Sequence, residues 1–214
     1  LIPEGSISIE VYADKNTTSD EMLAQGKEFF SWIPGAHIKF PTTREGLAVA
    51  EQAGKEGIRV NMTLCFSQEQ AAAVYAATRG AARPSVYVSP FIGRLDDRGE
   101  NGMDVVKNII QMFQKGDGHV DVLTASVRNL NQLLYAIQLQ SDIVTAPFQV
   151  LKEWAETELR MPDENFAYNP ANLTPILYKE ISLDKSWQEY NTSHELTDIG
   201  LEKFSADWNA LVRR

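Results

Sequence analysis

The sequence predicts an α/β fold: six βα units of a (β/α)8, TIM-type barrel, followed by a C-terminal helical extension. Three observations predict it. Short β-rich apolar runs alternate with helical stretches, and the run starts lie roughly 20 to 35 residues apart, the size of a βα unit. Helix-start signals follow directly on several of the runs. The stretch after the first run, "VYADKNTT", has no glycine, whereas an open doubly wound sheet usually carries a glycine-rich loop at that point.

The expected strands are Ser6–Tyr12, His37–Pro41, Ile58–Leu64, Ser85–Phe91, Val120–Ala125 and Asp142–Phe148. Capping boxes are read at Thr42-x-x-Glu45 and Ser67-x-x-Gln70, and a third start pairs Asn129 with Gln132. The helix "TREGLAVAEQAGKEG" carries Leu47, Ala50 and Ala53 on one face, with Gly57 as its stop. A closed barrel takes eight units; this chain shows six. Its tail, Ala155 to Arg214, differs. A proline- and asparagine-rich loop, "RMPDENFAYNPANLTP", leads to the helix "LTDIGLEKFSADWNALVRR", with Leu201, Phe204, Trp208 and Leu211 at helical spacing. Those apolar residues predict an extension packed on the barrel, so residues 1–214 read as a single domain.

Composition narrows the function. A net charge of −9 argues against nucleic-acid binding, which needs a basic surface. No apolar run approaches the ~18 residues that span a bilayer. The opening "LIPEGSISIE" lacks a basic stretch followed by an apolar one, so it is not read as a signal peptide. With one cysteine, Cys65, no intrachain disulfide can form, and a reduced, cytoplasmic setting is expected. His37, His119 and His194 show no metal-ligand spacing. No metal or other cofactor is expected.

In a barrel, catalytic groups gather where strands end and βα loops begin. The C-terminal halves of the runs offer Glu10, Lys39, Asn61, Thr63, Ser89 with Arg94 beyond it, and Ser126 with Arg128. Alternation along a strand puts Asn61 and Thr63 on one face, and Ser126 with Arg128 if the strand runs on. Taken singly, each has an ordinary reading. Lys39 would protect a sheet edge, Glu10 would neutralise a lysine, and Arg94 would pair with Asp96 or Asp97. Together they form a set. A lysine becomes a carbonyl nucleophile when desolvated, and Ile38 and Phe40 are expected to supply the apolar surround. Loss of water from the carbinolamine needs a proton relay from a carboxylate or hydroxyl, and Glu10 and Thr63 flank Lys39 on the preceding and following strands. Two arginines suit a phosphate. The residues thus point to a Schiff-base lyase or transferase acting on a phosphorylated carbonyl compound, without fixing the sugar.

"IKFPTTREGLAVAEQAGKEGIRVNMTLCFS", "SPFIGRLDD" and "TASVRNLNQ", with the final "LTDIGLEKFSADW", resemble the transaldolases, Schiff-base barrels of the pentose phosphate pathway. The resemblance implies that Lys39 is the Schiff-base lysine and that Glu10 and Thr63 handle the catalytic water. It implies that Arg94 and Arg128, with Ser89 beside them, bind phosphate, and that Asn61, Phe91 and Ser126 line the sugar site. The implied substrates are sedoheptulose 7-phosphate, fructose 6-phosphate, glyceraldehyde 3-phosphate and erythrose 4-phosphate. The family's barrel has two further strands before "SISIEV", one carrying an acid/base aspartate. A preceding segment or second chain is therefore expected, as is a homo-oligomer. Two alternatives stand beside transfer. One is a fructose-6-phosphate-type aldolase, a subgroup that carries Gln and Tyr where this chain has Glu10 and Phe91. The other is a non-catalytic sugar-phosphate-binding fragment.

Overall fold

The computed structural model describes residues 5–212. Residues 1–4, the start of the opening stretch "LIPEGSISIE", and residues 213–214, the end of the expected last helix, lie outside them.

Six parallel strands form one sheet in sequence order: β1 (Ile7–Glu10), β2 (Ala36–Pro41), β3 (Val60–Cys65), β4 (Val86–Pro90), β5 (Val120–Thr124) and β6 (Ile143–Val144). Between them run α1 (Ser19–Phe30), α2 (Arg44–Lys55), α3 (Gln68–Ala77), α4 (Ile92–Asp96), α5 (Gly102–Phe113) and α6 (Leu130–Gln138). After β6 come α7 (Phe148–Glu156), a 3-10 turn at Trp187–Glu189 and α8 (Glu195–Val212). Order and parallelism follow from βα crossovers of one hand, each placing the next strand beside the last.

The two faces of the sheet differ in chemistry. Ile38, Phe40, Val60, Met62, Val86, Val88, Val120 and Val122 are buried in the main core, with Leu47, Ala50, Ala72 and Ile109 from the helices. The alternate residues face the other way. Asn61 Nδ2 on β3 donates to Ser8 Oγ on β1 at 2.9 Å, across the intervening β2. The His37 ring on β2 stacks on Tyr87 of β4, with centroids 4.0 Å apart, across β3. In a flat sheet, strands two places apart are separated by about 9.5 Å. Side chains that meet over such a gap lie on a concave surface, as inside a barrel. Among the described residues β1 and β6 are the two ends of the sheet and do not pair with each other.

Several expectations need correction. The sixth strand is two residues long; Pro147 caps α7, and Phe148 is a helical, exposed residue rather than a strand end. Proline at a helix start fits its fixed φ and missing N–H. The α2 cap is Thr43, whose hydroxyl accepts from Gly46 N. Thr42 is engaged elsewhere: its hydroxyl donates to Thr63 O at 2.7 Å. Glu45 accepts from Ser19 N rather than closing a box. The fifth strand stops at Thr124, so Ser126 and Arg128 do not share a strand face. Ser67 and Asn129 cap their helices, each accepting from the N–H three residues on, but Gln70 does not close a box on Ser67: its Oε1 accepts from Phe66 N instead. Gly57 ends the α2 turn at φ +76°, a conformation glycine adopts without strain.

The irregular tail runs back around the helices. Gln68 exchanges two hydrogen bonds with Lys179, Asp104 accepts from Ile176 N, and Trp187 Nε1 donates to Glu51 at 2.8 Å. α8 then crosses the C-terminal end of the sheet. Its Leu196, Thr197, Gly200 and Leu201 are buried and Phe204 is half-buried. Trp208 keeps 36% exposure and Leu211 69%, so the apolar face expected to be buried is covered only along its first half.

Candidate active site

Parallel pairing sets the site. Glu10 is level with Lys39, and Lys39 with Asn61; two residues further along, Pro41 is level with Thr63. Lys39 Nζ donates to Glu10 Oε2 at 2.7 Å, with side chains 21% and 32% exposed. The polar row continues along the concave face. Ser89 Oγ donates to Asn61 Oδ1 at 2.6 Å, and Asn61 donates to Ser8. Ile38 and Phe40 therefore do not supply the apolar surround expected for the lysine. Those two residues point into the helix-side core, and the lysine shares its face with a carboxylate, an amide and hydroxyls.

Thr63 is fully buried, and its hydroxyl has no hydrogen-bond partner among the described residues. Buried hydroxyls are rarely left so; such an atom is a ready partner for a water or a substrate oxygen. Beyond it the ladder between β3 and β4 shifts register, and Leu64 takes φ +57°. Ser126 takes φ +63° just past the end of β5. Positive φ in a bulky residue such as leucine is a strained conformation. Both residues sit where the loops of the site begin.

The arginines come together at the same end. Arg128 ion-pairs with Asp97 at 2.9 Å, both largely exposed. Its side chain lies against Gly93, next to Arg94. Arg94 has no carboxylate within 4.0 Å among the described residues, so neither Asp96 nor Asp97 pairs with it. Burial, and then the charge of Arg128, push its guanidinium pKa down. Asp96 is bound instead by Gly102 N and Gln132 Nε2. Phe91 packs between Phe66 and Phe204, and its backbone N–H donates to Cys65 O.

Ser8, Gly200 and Phe204 were not among the sequence candidates. Ser8 had a signal: it sits two residues before Glu10, on the same face. The α8 residues had none, being over a hundred positions from Arg94. Cys65 is buried, which raises its thiol to about 12 and leaves it unreactive. No group of three potential metal-ligating side chains occurs among the described residues.

A family profile described as "Transaldolase/Fructose-6-phosphate aldolase" matches residues 1–214. The chain belongs to this family. It is similar to proteins named "Probable transaldolase" from three sources. Identity is 33% with that of Dehalococcoides mccartyi, over all of this chain and 77% of the relative. It is 35% with that of Roseiflexus sp. (strain RS-1), over 97% of this chain and 74% of the relative. It is also 35% with that of Methanococcus maripaludis, over all of this chain and 78% of the relative. Family membership agrees with the α/β fold, the half-barrel sheet and the expected transferase class.

Proposed function

We propose that the protein is a transaldolase that carries a dihydroxyacetone unit from a ketose phosphate to an aldehyde phosphate through a Schiff base on Lys39. One observation carries the reading: the Lys39 amine sits on the concave face at the strand ends, 2.7 Å from Glu10. Glu10 takes a proton from Lys39, and the free amine adds to the donor carbonyl. Glu10 returns the proton to the carbinolamine hydroxyl, which leaves as water and gives the iminium. The unpartnered Thr63 hydroxyl holds that water. The iminium draws the electrons of the C3–C4 bond as the C4 hydroxyl loses its proton and an aldose phosphate leaves; the remaining enamine adds to the acceptor aldehyde, whose oxygen takes a proton, and water then hydrolyses the new iminium to free the product and Lys39.

Arg94 and Arg128 hold the phosphate, with Ser89 beside them; Asn61, Phe91 and Ser126 line the sugar chain. Charge-assisted bonds suit this task. Donors and acceptors are sedoheptulose 7-phosphate, fructose 6-phosphate, erythrose 4-phosphate and glyceraldehyde 3-phosphate, in the cytoplasmic pentose phosphate pathway. Glu10 and Phe91 favour transfer over release of free dihydroxyacetone. The free edges of β1 and β6 are closed by two further strands, from another segment or chain. One of them brings the base that takes the C4 hydroxyl proton during cleavage.

Borohydride reduction with fructose 6-phosphate should fix a sugar-derived mass on the peptide carrying Lys39. Label on Lys27 or Lys55 instead, or on none, would overturn the assignment. Free dihydroxyacetone formed at the same rate with and without erythrose 4-phosphate would assign the aldolase reaction instead.

A further inference from the structure

We infer that α8 is a working part of the anion site: Gly200 and Phe204, one turn apart on its inner face, seat the Arg94 guanidinium for phosphate. The inference rests on the reading of Arg94 as a phosphate ligand given above, and adds to it a pair of positioning residues outside the barrel strands.

Phe204 lies with its ring centroid 5.3 Å from the Arg94 guanidinium carbon. Phe91 lies 5.9 Å from it on another side, and the two rings are themselves 6.4 Å apart. Two π faces thus bear on one cation that has no carboxylate partner among the described residues. Residues four apart share a helix face, so Gly200 points the same way as Phe204. A Cβ at Gly200 would come within 2.7 Å of Arg94 Nη1 and 2.6 Å of Leu64 Cδ2. The absence of a side chain there lets the helix backbone come down onto the arginine.

The helix is held in that position by a separate anchor. Thr197 Oγ1 donates to Leu64 O at 2.9 Å and accepts from Gln70 Nε2 at 2.8 Å. Gln70 also donates to Thr192 O at 3.1 Å. All of these atoms are buried. A half-buried arginine beside a second arginine is costly to hold. Aromatic rings lower that cost without neutralising the charge, whereas a carboxylate would occupy the fork that a phosphate needs. The arrangement keeps Arg94 both fixed and unpaired. Docking of α8 and phosphate affinity are consequently coupled.

The test uses the full 214-residue chain and needs no turnover. The concentration giving half-maximal borohydride trapping on Lys39 is measured for fructose 6-phosphate and for dihydroxyacetone. Variants are Arg94→Ala, Phe204→Leu, Phe204→Tyr and Gly200→Ala. Phe204→Leu and Gly200→Ala should raise the value for fructose 6-phosphate about three- to tenfold and leave that for dihydroxyacetone unchanged. Phe204→Tyr should restore it, and Phe204→Leu should add nothing in an Arg94→Ala background. If Arg94→Ala shifts fructose 6-phosphate but Phe204→Leu and Gly200→Ala do not, the positioning role of α8 fails and the phosphate role stands. If Arg94→Ala itself shifts nothing, the phosphate role fails and the positioning role with it. Equal shifts for both donors would reduce Phe204 and Gly200 to packing residues.

Discussion

Lys39 and Glu10 face each other at the same level of two adjacent parallel strands, with Nζ 2.7 Å from Oε2. Parallel pairing alone puts them there; no loop has to fold correctly to bring the amine and its carboxylate together. If Glu10 is the proton relay, Glu10→Gln should slow Schiff-base formation by ~10²–10⁴-fold while Lys39 remains the labelled residue. Rapid-quench borohydride trapping measures the rate. A variant that traps as fast as the parent would leave Glu10 as a counter-ion only. Lys39→Arg should form no adduct, since guanidinium stays protonated.

For the arginines the discriminating measurement compares donors. Arg94→Ala and Arg128→Ala should each weaken phosphorylated donors roughly tenfold to a hundredfold, from the worth of a charge-assisted hydrogen bond. Dihydroxyacetone should be affected little. Arg128 gives up its exposed pair with Asp97 at small cost, because exposed ion pairs contribute little. Asp97→Asn should therefore leave stability within about 0.5 kcal/mol of the parent; a larger loss in thermal denaturation would contradict this.

Gln70 links α8 and the segment before it to the ends of β2 and β3, its Nε2 donating also to Thr42 O at 3.3 Å. Besides its bonds to Thr197 and Thr192, its Oε1 accepts from Phe66 N at 2.8 Å. Gln70→Leu orphans buried groups on both sides and should cost about 1–3 kcal/mol. That corresponds to a fall of roughly 3–10 °C in Tm. Thr197→Ser, which keeps the hydroxyl, should lose much less. A Gln70→Leu chain as stable as the parent would show that α8 is held by its apolar contacts alone.

His37 gives a pH signature. It is buried beneath Tyr87, bonded to Ser6 Oγ at 2.7 Å and Pro84 O at 2.8 Å. Burial lowers its pKa, and the nearby Arg59 acts in the same direction. The unfolded chain then binds more protons in the window between the depressed value and 6.5. Stability should be full above pH 6.5 and decline as pH falls through that window. Asp121, raised by burial, titrates in the opposite sense, so the comparison is made with His37→Gln. Urea midpoints measured between pH 7 and 5 should fall more steeply for the parent than for this variant; equal slopes would exclude His37 as the source.

The strands and the lysine were legible because they depend on local pattern. Six apolar runs, an alternation of two and a proline after Phe40 are enough to put Lys39 at a strand end. The cap at Thr42 was misread by one residue because Thr42 is taken by the Thr63 carbonyl on the next strand, a tertiary choice between two adjacent threonines. The sixth strand was overextended because "TAPF" is apolar whether it ends a strand or opens a helix. Least legible was the wall above Arg94. Nothing near Arg94 in sequence announces Gly200 or Phe204, and their relation to it exists only once α8 has crossed the sheet. The same is true of the contacts from Asn61 to Ser8 and from His37 to Tyr87, which depend on sheet curvature.

The lacing of β2 to β3 also bears on time. Thr42 gives both its N–H and its hydroxyl to the Thr63 carbonyl, at 2.8 Å and 2.7 Å, so the main chain just beyond Lys39 is tied to the neighbouring strand. What remains mobile is the lysine's own four-carbon arm. Side-chain rotation takes on the order of nanoseconds where there is room, while typical enzymes turn over about ten times a second. Within one such cycle the amine can leave Glu10 and return many millions of times. On the reading proposed above, a carbonyl arriving in the concave face thus meets an amine that is already sampling it.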